Sequence, residues 1–168
     1  IALLLGIFVY SYEGTKINLD EKTQSTTATP VSGKVIVVDA GHGVPDEGAQ
    51  SSRGTTEAET NLKISVKLQN LLEQSGCTVI LTRSDENAIY DLDKTTLREK
   101  KISDIRNRVK IGNSSSADLF VSIHLNKIPQ QQYWGWQCFY NSKNEKSINL
   151  YFNYCNHLVY ITNYCDVI

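Results

Sequence analysis

The sequence predicts an α/β domain: a single, largely parallel twisted sheet with helices on both faces, incomplete at its C-terminal end. Two observations lead there. Three short β-branched runs, Lys34–Asp39, Cys77–Thr82 and Leu119–His124, alternate with two stretches of helical periodicity, an order that builds parallel sheets through crossover connections. The first run is almost continuously apolar rather than alternating, as expected of a strand covered on both sides, and crossovers of one hand place helices on both faces.

Each element has its own signal. Lys34-Val35-Ile36-Val37-Val38-Asp39 reads as the first strand and ends in a glycine-rich turn, Ala40-Gly41-His42-Gly43, followed by an irregular stretch to Thr56. A helix then opens at Thr55 or Thr56, and Thr56 with Glu59 has the capping-box spacing. Leu62, Val66, Gln69 and Leu72 line one side of it, Leu68 and Leu71 broaden the apolar face, and Gly76 stops it. Cys77–Thr82 is the second strand. A second helix carries Ile102, Ile105 and Val109 and ends near Gly112-Asn113. Leu119–His124 is the third strand and Gly135–Tyr140 is expected to be the fourth. A sheet that stopped there would leave an edge that a completed form covers.

Length and composition bound the function. A chain of 168 residues holds one domain with a core and hardly two. A net charge of −1 supplies no long-range field, and no lysine–arginine cluster is interleaved with aromatics, so no nucleic-acid partner is expected. Residues 1–10 form an uncharged apolar run, too short to span a bilayer, and are expected to be the remnant of a signal peptide or membrane anchor; a buried strand is the alternative. Any membrane contact is expected through this segment only. Residues 11–33 read as a linker. From Ser147 to Ile168 the composition changes to tyrosines and asparagines with Asp166 as the one charged residue, and 147–168 is expected to be a divergent tail, through truncation or a shifted reading frame. The cysteines Cys77, Cys138, Cys155 and Cys165 match no C-x-x-C pattern. Cys77 and Cys138 sit in strand-like runs as small buried hydrophobes, and Cys155 with His157 is a weak metal signal.

Two histidines occupy equivalent places, His42 just after the first strand and His124 at the end of the third. Ligands of open α/β sheets bind outside the carboxyl ends of the strands, so the two imidazoles can converge there. An acidic residue at the start of the first helix faces the same edge, and Glu57 and Glu59 are the candidates. Two histidines, a glutamate and an open fourth position make a catalytic zinc arrangement. Taken singly, a histidine in a glycine turn serves structure more often than metal, and Glu57 could merely favour a helix N-terminus.

These residues also carry a family likeness. Val37-Val38-Asp39-Ala40-Gly41-His42-Gly43 with Asp46-Glu47-Gly48-Ala49, Glu57 followed by Leu62, Leu81-Thr82-Arg83 with Asp85, Arg108 with Asn113, and Phe120-Val121-Ser122-Ile123-His124-Leu125-Asn126 together resemble the zinc-dependent N-acetylmuramoyl-L-alanine amidases. The resemblance runs from about Lys34 to Tyr140 and makes 34–146 a partial catalytic domain. It is strongest toward the spore-cortex amidases of endospore-forming bacteria, which help produce muramic δ-lactam. It implies Zn2+ held by His42, Glu57 and His124, with Glu57 preferred to Glu59. The implied substrate is peptidoglycan, cut between N-acetylmuramic acid and L-alanine, and the implied location is extracytoplasmic, in the cell wall or spore envelope. An activating protein partner is left open. The family's general base is a second glutamate near the domain's C-terminus, whereas Glu145 is the one glutamate beyond Tyr140. The catalytic base is therefore unassigned and the chain is expected to be slow or inactive. Arg83, Arg108 and Asn126 are expected to bridge charges or pin loops rather than touch substrate. Trp134 and Trp136, with Tyr133, could stack on sugar rings or cover the core. A non-catalytic wall-binding module and another zinc peptidase remain alternatives.

Overall fold

The computed structural model describes residues 31–125, 127, 135 and 137–150, in two compact units, Ile1–Leu125 and Asn126–Ile168. The first unit runs β1 (Val35–Ala40), α1 (Glu57–Gln74), β2 (Thr78–Leu81), α2 (Leu97–Ser114) and β3 (Leu119–Ile123). The second contains α3 (Glu145–Leu150), whose first turn is tied to Asn144 by Lys146 and Ser147 N–H bonds to its side chain.

The sheet is parallel, in the order β2-β1-β3. β1 is central and Ile36 to Ala40 are buried throughout, as its unbroken apolar run predicts. The first crossover leaves β1 for one edge, and the second returns past β1 to the other. Connections of one hand then leave their helices on opposite faces. Register shows which residues share a face: Ile36 pairs with Val79 and Leu119, and Val38 with Leu81 and Val121. These side chains meet Leu68 and Leu72 of α1. On the opposite face Val37 lies beside Ile80 and Phe120, and the Phe120 ring lies against Gly112 of α2. Val37 and Val38 are wholly buried, each contributing about 1.5–3 kcal/mol by the usual transfer scale.

The helices form where expected, but they turn different faces inward. Thr56 caps α1, its hydroxyl accepting the Glu59 N–H at 3.2 Å, and Gly76 follows the end of the helix at φ +86°. The side turned to the sheet is Ala58, Asn61, Ser65, Leu68 and Leu72, whereas Val66 and Leu71 are exposed. Of the predicted apolar face, through Leu62, Val66, Gln69 and Leu72 with Leu68 and Leu71, Leu68 and Leu72 pack on the core while Val66 and Leu71 do not, so the inward side is rotated toward Asn61 and Ser65. Small side chains are needed where α1 crosses the end of β1, and Asn61 there donates to the Gly41 carbonyl at 3.1 Å. In α2 the correction is larger. The helix starts at Leu97 behind a full capping box of Thr96 and Glu99, and Ile102, Ile105 and Val109 are exposed. Its buried residues are Ser103, Asp104 and Arg108, because this helix docks through hydrogen bonds. Asp104 accepts the Ile89 N–H, Ser103 bonds Asp91, and Asn107 donates to the Ile89 carbonyl.

The expected fourth strand is not found among the described residues of 135–140: Gly135 is a bend at φ +105° and Gln137–Tyr140 are not strand residues. An apolar run is a necessary condition for a strand, but only a neighbour's free edge completes one. Cys77 is buried, while Cys138 is only partly buried, so the second was wrongly expected in a core. Residues 1–30, Asn126, Tyr133, Trp134, Trp136 and the tail from 151, with Cys155, His157 and Cys165, lie outside the described residues. No helix among those described is long and apolar enough to cross a membrane.

A polar network replaces apolar packing at the carboxyl end of the sheet. Asp39 Oδ1 accepts from the Thr82 hydroxyl and from Arg108 Nη1, both at 2.7 Å, and Oδ2 accepts from the Ser122 hydroxyl at 2.6 Å. Arg108 also pairs with Asp104 at 2.8 Å. Burial pushes the Asp39 carboxyl up, but the Arg108 charge and the two hydroxyls outweigh it and hold it below its ordinary value near 3.8. A depressed folded-state value means stability that is present above that ordinary value and lost as pH falls through the folded one. Acid titration of unfolding should therefore show a loss beginning near pH 4, part of which Asp39→Asn removes. Arg108→Met strands a buried carboxylate and should cost about 3–5 kcal/mol in denaturant unfolding; a cost under about 1 kcal/mol would show the pair to be dispensable.

Candidate metal centre

The glycine-rich turn after β1 carries His42 over the sheet's carboxyl edge with its backbone at φ +63°. A non-glycine residue holds this left-handed conformation only when its surroundings impose it. Two buried arginines do so through the carbonyls. Arg108 donates to Ala40 and His42, both at 2.7 Å. Arg83 donates to Ala40 at 2.8 Å, Gly41 at 3.1 Å, Ala58 at 2.8 Å and Asp85 at 2.7 Å. The structure thus gives Arg83 and Arg108 the expected loop-pinning place, joining β1, the start of α1 and the segment after β2.

Glu57 is the first residue of α1, where the unpaired N–H groups favour a carboxylate. Its side chain is buried between the two histidines. Oε1 lies 3.3 Å from His42 Nε2 and 3.1 Å from His124 Nδ1, and it accepts the Leu125 N–H at 2.8 Å. Oε2 accepts the Ala49 N–H at 3.0 Å. Burial raises the Glu57 carboxyl, but the Ala49 and Leu125 N–H groups, followed by the two histidines, more than offset it and hold the group ionised at lower pH than usual. The imidazoles meet edge to face, centroids 4.9 Å apart. Leaving β3, His124 has a side chain 44% exposed against 6% for Glu57, so the cluster is closed on one side and open on the other.

His42, Glu57 and His124 each offer one ligand atom, all within 4.8 Å of one another. Three electron-pair donors that converge on one point suit a cation, and an opening to solvent is what a catalytic rather than a structural metal site keeps. Of the two acidic candidates, Glu57 enters the cluster, whereas Glu59 points to solvent and pairs with Lys63. Two close approaches depend on glycine. A Cβ on Gly41 would fall onto the His124 ring, and one on Gly48, at φ +70°, would lie 2.7 Å from Glu57 Oε2 and 2.8 Å from His42 Cδ2.

A family model for N-acetylmuramoyl-L-alanine amidase matches residues 36–162. The chain belongs to the N-acetylmuramoyl-L-alanine amidase family. The germination-specific N-acetylmuramoyl-L-alanine amidase of Bacillus subtilis (strain 168) is 35% identical over 147 residues, 86% of this chain and 59% of that protein. LytC, another N-acetylmuramoyl-L-alanine amidase of that strain, is 32% identical over 121 residues, 72% of this chain and 21% of its own. Among solved structures, the CwlD amidase from Clostridioides difficile in complex with the GerS lipoprotein superposes with a TM-score of 0.63 at 43% identity, covering 67% of this chain and 58% of that one. The chain therefore spans about three-fifths of the length of the germination-specific relative. The parallel sheet with flanking helices is the family's fold, and the matched span contains His42, Glu57 and His124.

Reasoning from residues alone left two contributors without a role. Asp46, four residues after His42, has Oδ2 3.3 Å from His42 Nδ1 and 3.0 Å from Lys101 Nζ; the signal was the carboxylate's spacing in the glycine-rich segment. Asn61 reads as a polar position on a helix surface, and nothing local marks it as buried against the Gly41 carbonyl.

Replacing His124 with alanine should abolish tight metal binding, and Gly41→Ala should weaken it by displacing the same ring. Glu59→Ala should leave it unchanged apart from a small loss of helix stability. Metal content and chelator competition on the purified variants check all three. Metal retained at full occupancy in His124→Ala would exclude this ligand set.

Proposed function

We propose that this chain is a zinc-dependent hydrolase acting on the amide between N-acetylmuramic acid and the first L-alanine of the peptidoglycan stem. The observation that carries the reading is the convergence of His42, Glu57 and His124 at the sheet's carboxyl edge, in a chain of the amidase family. Zinc bound there would supply Lewis acidity, polarising the scissile carbonyl and acidifying water. The chain's own groups fix the geometry for that chemistry. Glu57 offers a single carboxylate oxygen to both histidines while its second oxygen is held by Ala49. The arginine-pinned turn keeps His42 from relaxing away from the edge, and the open His124 side admits the substrate. Proton transfer to the leaving amine needs a positioned base, commonly worth 10²–10⁴-fold. Glu145, in the first turn of α3, is the glutamate this chain carries beyond Tyr140.

The names of the relatives support a narrower setting. A germination-specific relative favours spore cortex as the site of action, and work on the cell wall calls for export. The Clostridioides difficile neighbour was solved with a lipoprotein, which favours a protein partner for this chain also.

Digestion of muropeptides by the zinc-loaded protein tests the activity. Intact stem peptides should be released from the sugar, slowly for the 168-residue chain, and Glu57→Gln should remove the release entirely. Liberation of single terminal amino acids would instead identify a carboxypeptidase. Tight wall binding that is indifferent to chelator would identify a non-catalytic module. If Glu145 is the base, Glu145→Gln lowers the rate by about two orders of magnitude or more while zinc stays bound.

A further inference from the structure

His42 has two ring nitrogens, and the structure gives them different neighbours. Nε2 faces Glu57 Oε1 at 3.3 Å, inside the ligand cluster, while Nδ1 faces Asp46 Oδ2 at 3.3 Å on the other side of the ring. A nitrogen that gives its lone pair to a metal leaves the ring proton on the other, and an ionised carboxylate, which only accepts hydrogen bonds, is the partner that suits that proton.

Asp46 is itself held from two directions. Its backbone bridges Gly43, the residue after His42, through Asp46 N–H to Gly43 O at 2.8 Å and Gly43 N–H to Asp46 O at 3.0 Å. Its side chain is clamped by Lys101 Nζ at 3.0 Å, a residue of α2 distant in sequence. An aspartate is a carboxylate near neutral pH, and this one faces Lys101 and His42 from opposite elements.

We infer that Asp46, clamped by Lys101, is a positioning residue that fixes the ring orientation of His42 and thereby sets the affinity of the metal centre. The inference rests on the metal-binding reading above and goes beyond its three ligands. It gives α2 a part in the site: the helix contributes no ligand, but through Lys101 it holds the carboxylate that aims one. Carboxylates behind metal-bound histidines commonly set affinity by 10–100-fold, and here the carboxylate's own orientation depends on a residue some fifty positions away in sequence.

The test is zinc affinity by chelator competition, with the unfolding midpoint of the metal-free protein measured beside it. Asp46→Ala should bind zinc about 10–100-fold more weakly than the parent, with the metal-free midpoint little changed. Asp46→Asn, whose amide oxygen can still accept the Nδ1 proton, should recover most of that loss. Lys101→Ala should show a smaller loss of the same kind. Zinc binding by Asp46→Ala within about twofold of the parent overturns the inference while leaving the three ligands standing. If Asp46→Ala does not fold, parent-like affinity in both Asp46→Asn and Lys101→Ala overturns it. A parent protein that binds no zinc overturns the metal reading and this inference with it.

Discussion

Asp39 stands at the carboxyl end of the central strand, beside Thr82, Ser122 and Arg108, and its carboxylate joins the segment after β2, β3 and α2 in one hydrogen-bonded node. A buried charge is costly unless a countercharge and hydrogen bonds satisfy it. Here both oxygens are occupied and Arg108 is in turn bound to Asp104 and to two carbonyls. The node tolerates little rearrangement, since each partner moved leaves another unsatisfied. It lies immediately before the turn that carries His42, so the same atoms that close the sheet also fix where the turn leaves it.

From that node the site follows in steps. Arg83 and Arg108 hold the carbonyls of residues 40 to 42, and the chain passes through the left-handed region at His42. Glu57 arrives at the same edge from the N-terminus of α1 and His124 from the end of β3, with Leu125 giving its N–H to the carboxylate that lies between the rings. Gly41 and Gly48 leave the space into which ring and carboxylate fit. Fold and site share residues, so a substitution at Arg108 bears on stability and on His42 together, without Arg108 touching any ligand atom.

The amidase family provides the chemical setting in which this geometry makes sense. A His–Glu–His cluster on an open sheet edge is compatible with several hydrolytic reactions; the match over residues 36–162 narrows the choice. The site's asymmetry, with Glu57 buried and His124 half-exposed, distinguishes an anchoring side from the side where a polymer could approach.

Much of this was legible in the order of residues. β-branched runs that end in histidine-bearing turns determine strands, their parallel order and the edge on which the imidazoles emerge, because side-chain shape and crossover geometry act locally. Thr56 with Glu59 marked the helix start and, through it, the place of Glu57. The inward faces of the helices were legible only in part, at Leu68 and Leu72 of α1. Leu62 and Val66 are as apolar as Leu68 and Leu72, and only the close crossing of α1 over the end of β1 selects the side bearing Asn61 and Ser65. Likewise Ile102, Ile105 and Val109 have the periodicity of a core stripe, yet α2 turns Ser103, Asp104 and Arg108 inward, since the partners they bond lie on β1 and in the loop after β2. The run 135–140 is strand-like by composition, but its described residues are not in a strand. By itself the sequence determined that His42, His124 and an acidic residue at the start of α1 reach the carboxyl edge, because that depends on spacing along one chain, while the choice of Glu57 over Glu59 came from the family resemblance. Only the tertiary structure decided how they are aimed, through Asp39, Asp46, Arg83, Arg108 and Lys101, because a buried ion pair is defined by partners far apart in sequence.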